Sequence, residues 1–189
     1  MKTVLMAMIS VAGLAAASQG AVTTYFTNLS GAAEAPPNAS PGTGWARVDY
    51  DNVARTMRVR AAFSGLLGNV TVCHIHGATA TPFTGTAGVA TPTPTFPGFP
   101  ASGTSGSYDN TLDLALTSSW NAAYITANGG TTLSAETAFF SAMTAGRTYF
   151  NLHSSAFPGG ELRGFLAIPA PSALAMLGLG GLVAARRRR

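Results

Sequence analysis

With 189 residues, 47% of them hydrophobic and only 10% charged, the chain is long enough for one domain with its own core and too short for two of ordinary size. A single cysteine, Cys73, excludes an intramolecular disulfide. The formal charge of +4 does not argue for a nucleic-acid partner, because Lys2 and four terminal arginines supply it: residues 21–168 hold six arginines against seven acids, a net −1.

Lys2 precedes an apolar run from Val4 to Ala17 and a small-residue segment, Ser18-Gln19-Gly20, before Ala21. A charged start, an apolar stretch and a small-x-small site are the pattern of a secretory signal peptide over residues 1–20. Its apolar run of about 14 residues falls short of the roughly 20 that span a bilayer. Residues 21–168 then form the predicted domain. A strand is expected over Thr23 to Leu29, and two alternating runs follow: Ala46, Val48, Tyr50 and then Met57, Val59, Ala61, Phe63, joined by a turn near Asn52. This hairpin sets Arg47, Arg58 and Arg60 on its solvent face with Asp49 and Asp51, where cross-strand charge pairs are worth little energy each. Val70 to His76 continues the strand pattern.

From Gly77 to Asn110 periodicity stops, and Pro82, Pro92, Pro94, Pro97 and Pro100 lie among Thr, Gly and Ser. A loop this long inside a compact domain is either a functional lid or a loosely ordered insertion. Thr111 to Leu116 reads as a strand with Leu112, Leu114 and Leu116 inward. Two helical pieces are expected: Trp120, Ala123, Tyr124 and Ala127 fall at i, i+3, i+4 and i+7, and Ser134 to Ala145 has Gly146 as its stop. Thr148 to His153 and Leu162 to Ile168 complete a set of about seven strands, which favours an all-β, antiparallel sandwich.

Pro169-Ala170-Pro171-Ser172 breaks the chain and precedes an apolar, Gly-rich run from Ala173 to Ala185 that ends in Arg186, Arg187, Arg188 and Arg189. As a helix this run spans roughly 20 Å, thin for a hydrocarbon core near 30 Å, so the expected C-terminal apolar helix is a weak anchor whose arginines stay cytoplasmic. The segment 169–189 resembles the PEP-CTERM sorting signal of Gram-negative bacteria, with Ala170 where that signal carries glutamate. The resemblance implies exosortase-type sorting machinery as a partner and the inner membrane as a transient anchor.

All three histidines fall in two short segments, Val72-Cys73-His74-Ile75-His76-Gly77 and Tyr149-Phe150-Asn151-Leu152-His153. Alternate strand residues share a face, so His74 and His76 project together, as do Asn151 and His153, while Cys73, Ile75, Phe150 and Leu152 face the other way. Two readings are open. In one, the imidazoles hydrogen-bond Asn151, Glu161 or backbone groups and clasp adjacent strands, with Glu161 and Arg163 together on one strand face; this needs no cofactor. In the other, His74, His76 and His153, joined by Glu161 or water, hold Zn or Cu. No catalytic nucleophile accompanies them: Ser154 and Ser155 neighbour His153 in sequence only, and there is no G-x-S-x-G elbow. Cys73 is expected to be a small buried hydrophobe.

Five segments in order make the domain resemble the CHRD domain, a module named from chordin and also found in exported bacterial proteins: Leu29 to Pro37, Phe63-Ser64-Gly65-Leu66, His74-Ile75-His76-Gly77, Ala145 to His153, and Phe157 to Gly164. That resemblance implies an immunoglobulin-like extracellular domain without an established enzymatic activity. Within the last segment, Pro158-Gly159-Gly160 is expected to supply positive φ, and Gly164 to let two backbones approach closely. The expected protein is an exported binding or structural module of the cell surface, the periplasm-facing membrane or the extracellular matrix, with a surface polysaccharide or a protein as partner. The competing expectation is a small metal-binding protein, redox or hydrolytic, built on the three histidines.

Overall fold

The computed structural model describes residues 22–169. Its strands are β1 (Thr23–Ser30), β2 (Thr43–Asp51), β3 (Thr56–Ser64), β4 (Val70–Gly77), β5 (Gly106–Asp113), β6 (Thr148–Ser154) and β7 (Leu162–Phe165); its helices are α1 (Ala122–Ala127) and α2 (Thr132–Thr144). All strand pairs are antiparallel, and the seven strands form one sheet in the order β4-β6-β7-β1-β2-β3-β5. Where an immunoglobulin-like sandwich implies two sheets, the described residues make a single curled one. The join is at β1, which pairs with β2 along its length and meets β7 at Ser30 and Arg163, while Phe26 and Ala167 exchange backbone hydrogen bonds of 2.8 and 3.2 Å. The curl brings Leu29, Val48, Met57 and Phe63 of one half into the same buried cluster as Cys73, Ile75, Phe150 and Leu152 of the other.

The β2–β3 hairpin forms as its alternation dictates. Ala46, Val48, Met57, Val59 and Ala61 are buried. On the outer face Asp49 pairs with Arg47 at 2.8 Å and with Arg60 at 2.5 Å, and Arg58 pairs across to Asp109 of β5 at 2.6 Å. Asp51 instead closes the turn, its Oδ1 accepting from the Val53 and Ala54 amides.

β5 starts and ends earlier than the leucine spacing predicts. After Asp113 the chain turns, Asp113 accepting from the Ala115 and Leu116 amides, so Leu112 and Leu114 are buried but Leu116 is 54% exposed. β7 likewise stops at Phe165, leaving Ile168 exposed. Both helices have side-chain caps: Asn121 Oδ1 accepts from the Ala123 amide, and Thr131 and Ser134 form a reciprocal capping box that starts α2 at Thr132, two residues ahead of the predicted Ser134. Gly146, at φ +68°, ends the second helix as expected. α2 lays Phe139, Phe140 and Met143 on the core, with Tyr50 stacked on Phe140 at 3.5 Å.

The long segment after β4 is ordered, and it runs back along the free edge of that strand. Gly77 donates to the Gly88 carbonyl at 3.1 Å, Ala90 to Ile75 at 2.9 Å and Phe96 to Cys73 at 3.1 Å. The Thr91 and Thr95 hydroxyls accept from the Ile75 and Cys73 amides, each at 2.9 Å. Threonine side chains thus complete what a neighbouring strand would otherwise supply, and the bare edge is covered. Prolines are admissible in such a segment because few of its own amides need to donate. Phe96 also reaches between Tyr108 of β5 and Phe150 of β6, at ring distances of 5.8 and 6.3 Å, and so plugs the gap between the two halves.

The expected signal peptide and the tail from Ala170 to Arg189, with its apolar helix, Pro171 and arginine cluster, lie outside the described residues; Pro169 lies within them, exposed. No helix of the described residues is long and apolar enough to cross a membrane.

Candidate metal centre

Strand register assembles the histidines. In the β4–β6 pair His74 lies opposite Asn151 and His76 opposite Tyr149, and an irregularity between Val70 and Val72 sets Val72 opposite His153. In the β6–β7 pair Asn151 lies opposite Arg163 and Tyr149 opposite Phe165. His74, His76, Tyr149, Asn151, His153 and Arg163 therefore share the face turned away from the core, as alternation predicts. That face is roofed: Glu34 bonds Asn151, the Gly85–Val89 stretch bonds His76 and Arg163, and Pro158 bonds His153. His74 is only 6% exposed as a result.

The three imidazoles form a tight cluster with His74 between the others. Its ring centre lies 4.6 Å from that of His76 and 4.8 Å from that of His153, both nearly edge-on. His76 Nδ1 donates to the Ala87 carbonyl and His153 Nδ1 to the Pro158 carbonyl, each at 2.8 Å. A carbonyl only accepts, so both rings carry their proton on Nδ1 and keep a lone pair on Nε2. Those two Nε2 atoms and His74 Nδ1 are buried and have no hydrogen-bond partner among the described residues. One nitrogen from each of the three rings lies within 4.8 Å of the others. Zinc–nitrogen bonds of about 2.0–2.1 Å need nitrogens roughly 3.4 Å apart in tetrahedral geometry, so the rings would close by about an ångström on an ion. Backbone carbonyls that fix the ring tautomer are the usual outer shell of a histidine metal site.

Electrostatics favour the same protonation state. Burial pushes His74 down to about 3, helped by its His76 and His153 neighbours. Burial pushes His76 down to about 4 against the opposing effect of its Ala87 bond, and lowers His153 against its Pro158 bond. All three are neutral at pH 7, the form that ligates metal.

Asn151 and Glu161, the expected side-chain partners of the imidazoles, are bonded elsewhere. Asn151 Nδ2 donates to Glu34 Oε1 at 2.6 Å. The fully buried Glu161 accepts from Ser40 Oγ and the Leu67 amide, both at 2.6 Å, and from Ser154 Oγ. Strand alternation does not govern Glu161, because it precedes β7 and follows Gly160 at φ +132°. Its carboxylate is thus not a fourth donor, and the centre is made of His74, His76 and His153 alone. Cys73 is fully buried on the opposite face, where burial pushes its thiol up.

Arg163 and Tyr149 make up the rest of the face. The guanidinium carbon lies 3.6 Å from the centre of the Tyr149 ring, and Tyr149 stacks on His76 at 4.7 Å with 6° between the planes. Arg163 Nη2 donates to the Gly85 carbonyl, and the Tyr149 hydroxyl donates to Ala87 at 3.3 Å. Tyr149 and the Ala87 and Pro158 carbonyls are the parts the sequence did not flag. Tyr149 has a readable signal, since it is two residues before Asn151 on the same strand face; a main-chain carbonyl has none.

The family model of the CHRD domain matches residues 25–166, from β1 to just past β7, and takes in all three histidines. CHRD is a non-catalytic domain family. No curated protein and no solved structure matches the chain. On the strength of a match that covers the whole sheet, the chain belongs to the CHRD domain family.

Proposed function

We propose that this CHRD domain is an exported, non-enzymatic binding module whose ligand is a transition-metal ion, Zn or Cu, held by His74, His76 and His153. One observation carries the reading: three buried imidazole nitrogens converge without partners, while the opposite nitrogens of two of the rings are tied to carbonyls. A purely structural clasp would use those nitrogens. Leaving each of them buried and unpaired costs about 1–3 kcal/mol, which a bound cation relieves. Export rests on the signal-peptide pattern of residues 1–20, and surface sorting on the Pro-x-Pro, apolar and arginine parts of 169–189, with exosortase-type machinery and the inner membrane as transient partners.

The site is tested by loading the purified protein with Zn or Cu, measuring bound metal by mass spectrometry and following thermal unfolding. Stoichiometric metal is expected, with stabilisation approaching about 2.7 kcal/mol at free metal near 100 Kd, and His74→Ala and His76→Ala each abolish it. Absence of both stoichiometric metal and stabilisation would sink the reading. The address is tested separately: deletion of residues 169–189 should release soluble protein, and an unchanged distribution rules the sorting role out.

A further inference from the structure

We propose that the centre selects monovalent copper over divalent ions, and that the buried cation of Arg163 makes the selection. The inference rests on the three histidines being a metal site. Every donor in that site is a neutral imidazole: the Glu161 carboxylate is engaged by Ser40, Leu67 and Ser154, and Cys73 points into the core. No anionic ligand therefore offsets the charge of an incoming ion.

A fixed positive charge faces it instead. Arg163 is 2% exposed, and among the described residues no carboxylate oxygen lies within 4.0 Å of its nitrogens. Its Nη2 is satisfied by a neutral carbonyl, and its Nε has no partner. β7, β6 and β4 are consecutive in the sheet, so Arg163, Tyr149 and His76 form a stack in which one phenol ring separates the guanidinium from a metal-facing imidazole. The Glu34 carboxylate, bonded to Asn151, attracts Arg163 but makes no ion pair with it within 4.0 Å.

Loops roof this face, so the repulsion between guanidinium and ion is weakly screened, and it doubles when the ion's charge goes from one to two. Coordination number points the same way. Zinc takes four ligands and would have to recruit a water beside the three imidazoles, whereas monovalent copper is satisfied by two or three neutral nitrogens.

The experiment compares the unmutated protein with Arg163→Gln and Glu34→Gln. Cu(I) affinity is measured anaerobically with ascorbate against bicinchoninate, and Zn(II) affinity against a chromophoric zinc chelator. The unmutated protein should bind Cu(I) more tightly than Zn(II). Arg163→Gln should shift the ratio of affinities toward zinc by on the order of tenfold, and Glu34→Gln, which removes the acid that attracts Arg163, should shift it the other way. Ratios unchanged in both variants, with metal still bound, overturn the role of Arg163 and leave the metal site standing. Tighter binding of zinc by the unmutated protein overturns the selection, and failure to bind either ion overturns the metal site itself. Where Arg163→Gln does not fold, Glu34→Gln and the potential of the bound copper couple decide; a potential below that of aqueous copper contradicts the proposal.

Discussion

Glu161 is fully buried, and neutral donors rather than a cation hold its carboxylate: Ser40 Oγ from the β1–β2 connection, the Leu67 amide from the β3–β4 connection and Ser154 Oγ at the end of β6. Burial pushes the carboxyl up, but the bonds from Ser154, Ser40 and the Leu67 and Gly68 amides outweigh it and hold the group below its ordinary value of 4.5. A carboxylate lowered on folding contributes stability that is complete above the unfolded value and is lost as pH falls through the folded one. Glu161→Gln keeps the shape and removes the charge, so it should destabilise the protein by about 1.5–3 kcal/mol at pH 7. The deficit should shrink at pH 3, below the ordinary carboxyl value, where the unfolded chain takes up a proton that the folded carboxylate resists. Urea unfolding at the two pH values checks this, and an equal deficit at both would show that the charge contributes nothing. From the sequence Glu161 is a candidate ligand or clasp. Its real partners are fixed by two connections remote in the chain, and strand alternation carries no information about those.

The covered edge of β4 shows why composition misleads at the scale of elements. Pro, Thr and Gly without apolar period read as a lid or a loose insertion, yet the segment behaves as a substitute strand. Hydroxyls take the part of backbone groups, and a hydroxyl ladder leaves no hydrophobic period to detect. Thr91 is fully buried, its hydroxyl accepting from the Ile75 amide. Thr91→Val preserves volume but strands that amide in the core, and should cost about 1–3 kcal/mol. Thr95→Val should cost less, because Thr95 is only half-buried and its bond to the Cys73 amide is part-buried, whereas the Thr91–Ile75 bond is fully enclosed. Equal losses for the two variants, measured by thermal unfolding, would mean that burial of the orphaned amide is not what sets the penalty. The β2–β3 hairpin was legible because its period is apolar; β5 was misplaced because Leu114 and Leu116 continue a period across a turn that Asp113 has already made.

At the scale of the molecule, alternation tells which face a residue takes but not which strands are neighbours, so a strand inventory close to the observed one did not reveal that the described strands join into a single curled sheet. The seam between β1 and β7 decides the matter, and Gly164 is what permits it: a Cβ there would collide with the Asn28 carbonyl and the Thr27 hydroxyl. The close approach was readable from the glycine, but its partner backbone was not. Gly164→Ala must push β7 off β1, and with it the strand that carries Arg163 beside the histidine face. Overpacking against a backbone that cannot rotate away should cost about 1–3 kcal/mol. Gly159→Ala is the matched control, since that residue is exposed with open space around it, and should stay within about 0.5 kcal/mol of the unmutated protein. Because one core serves both halves, Gly164→Ala should lower a single cooperative transition, with Val48 and Leu152 amides losing hydrogen-exchange protection together. Protection lost in the β4-β6-β7 half alone would mean that the seam does not bind the two halves into one folding unit.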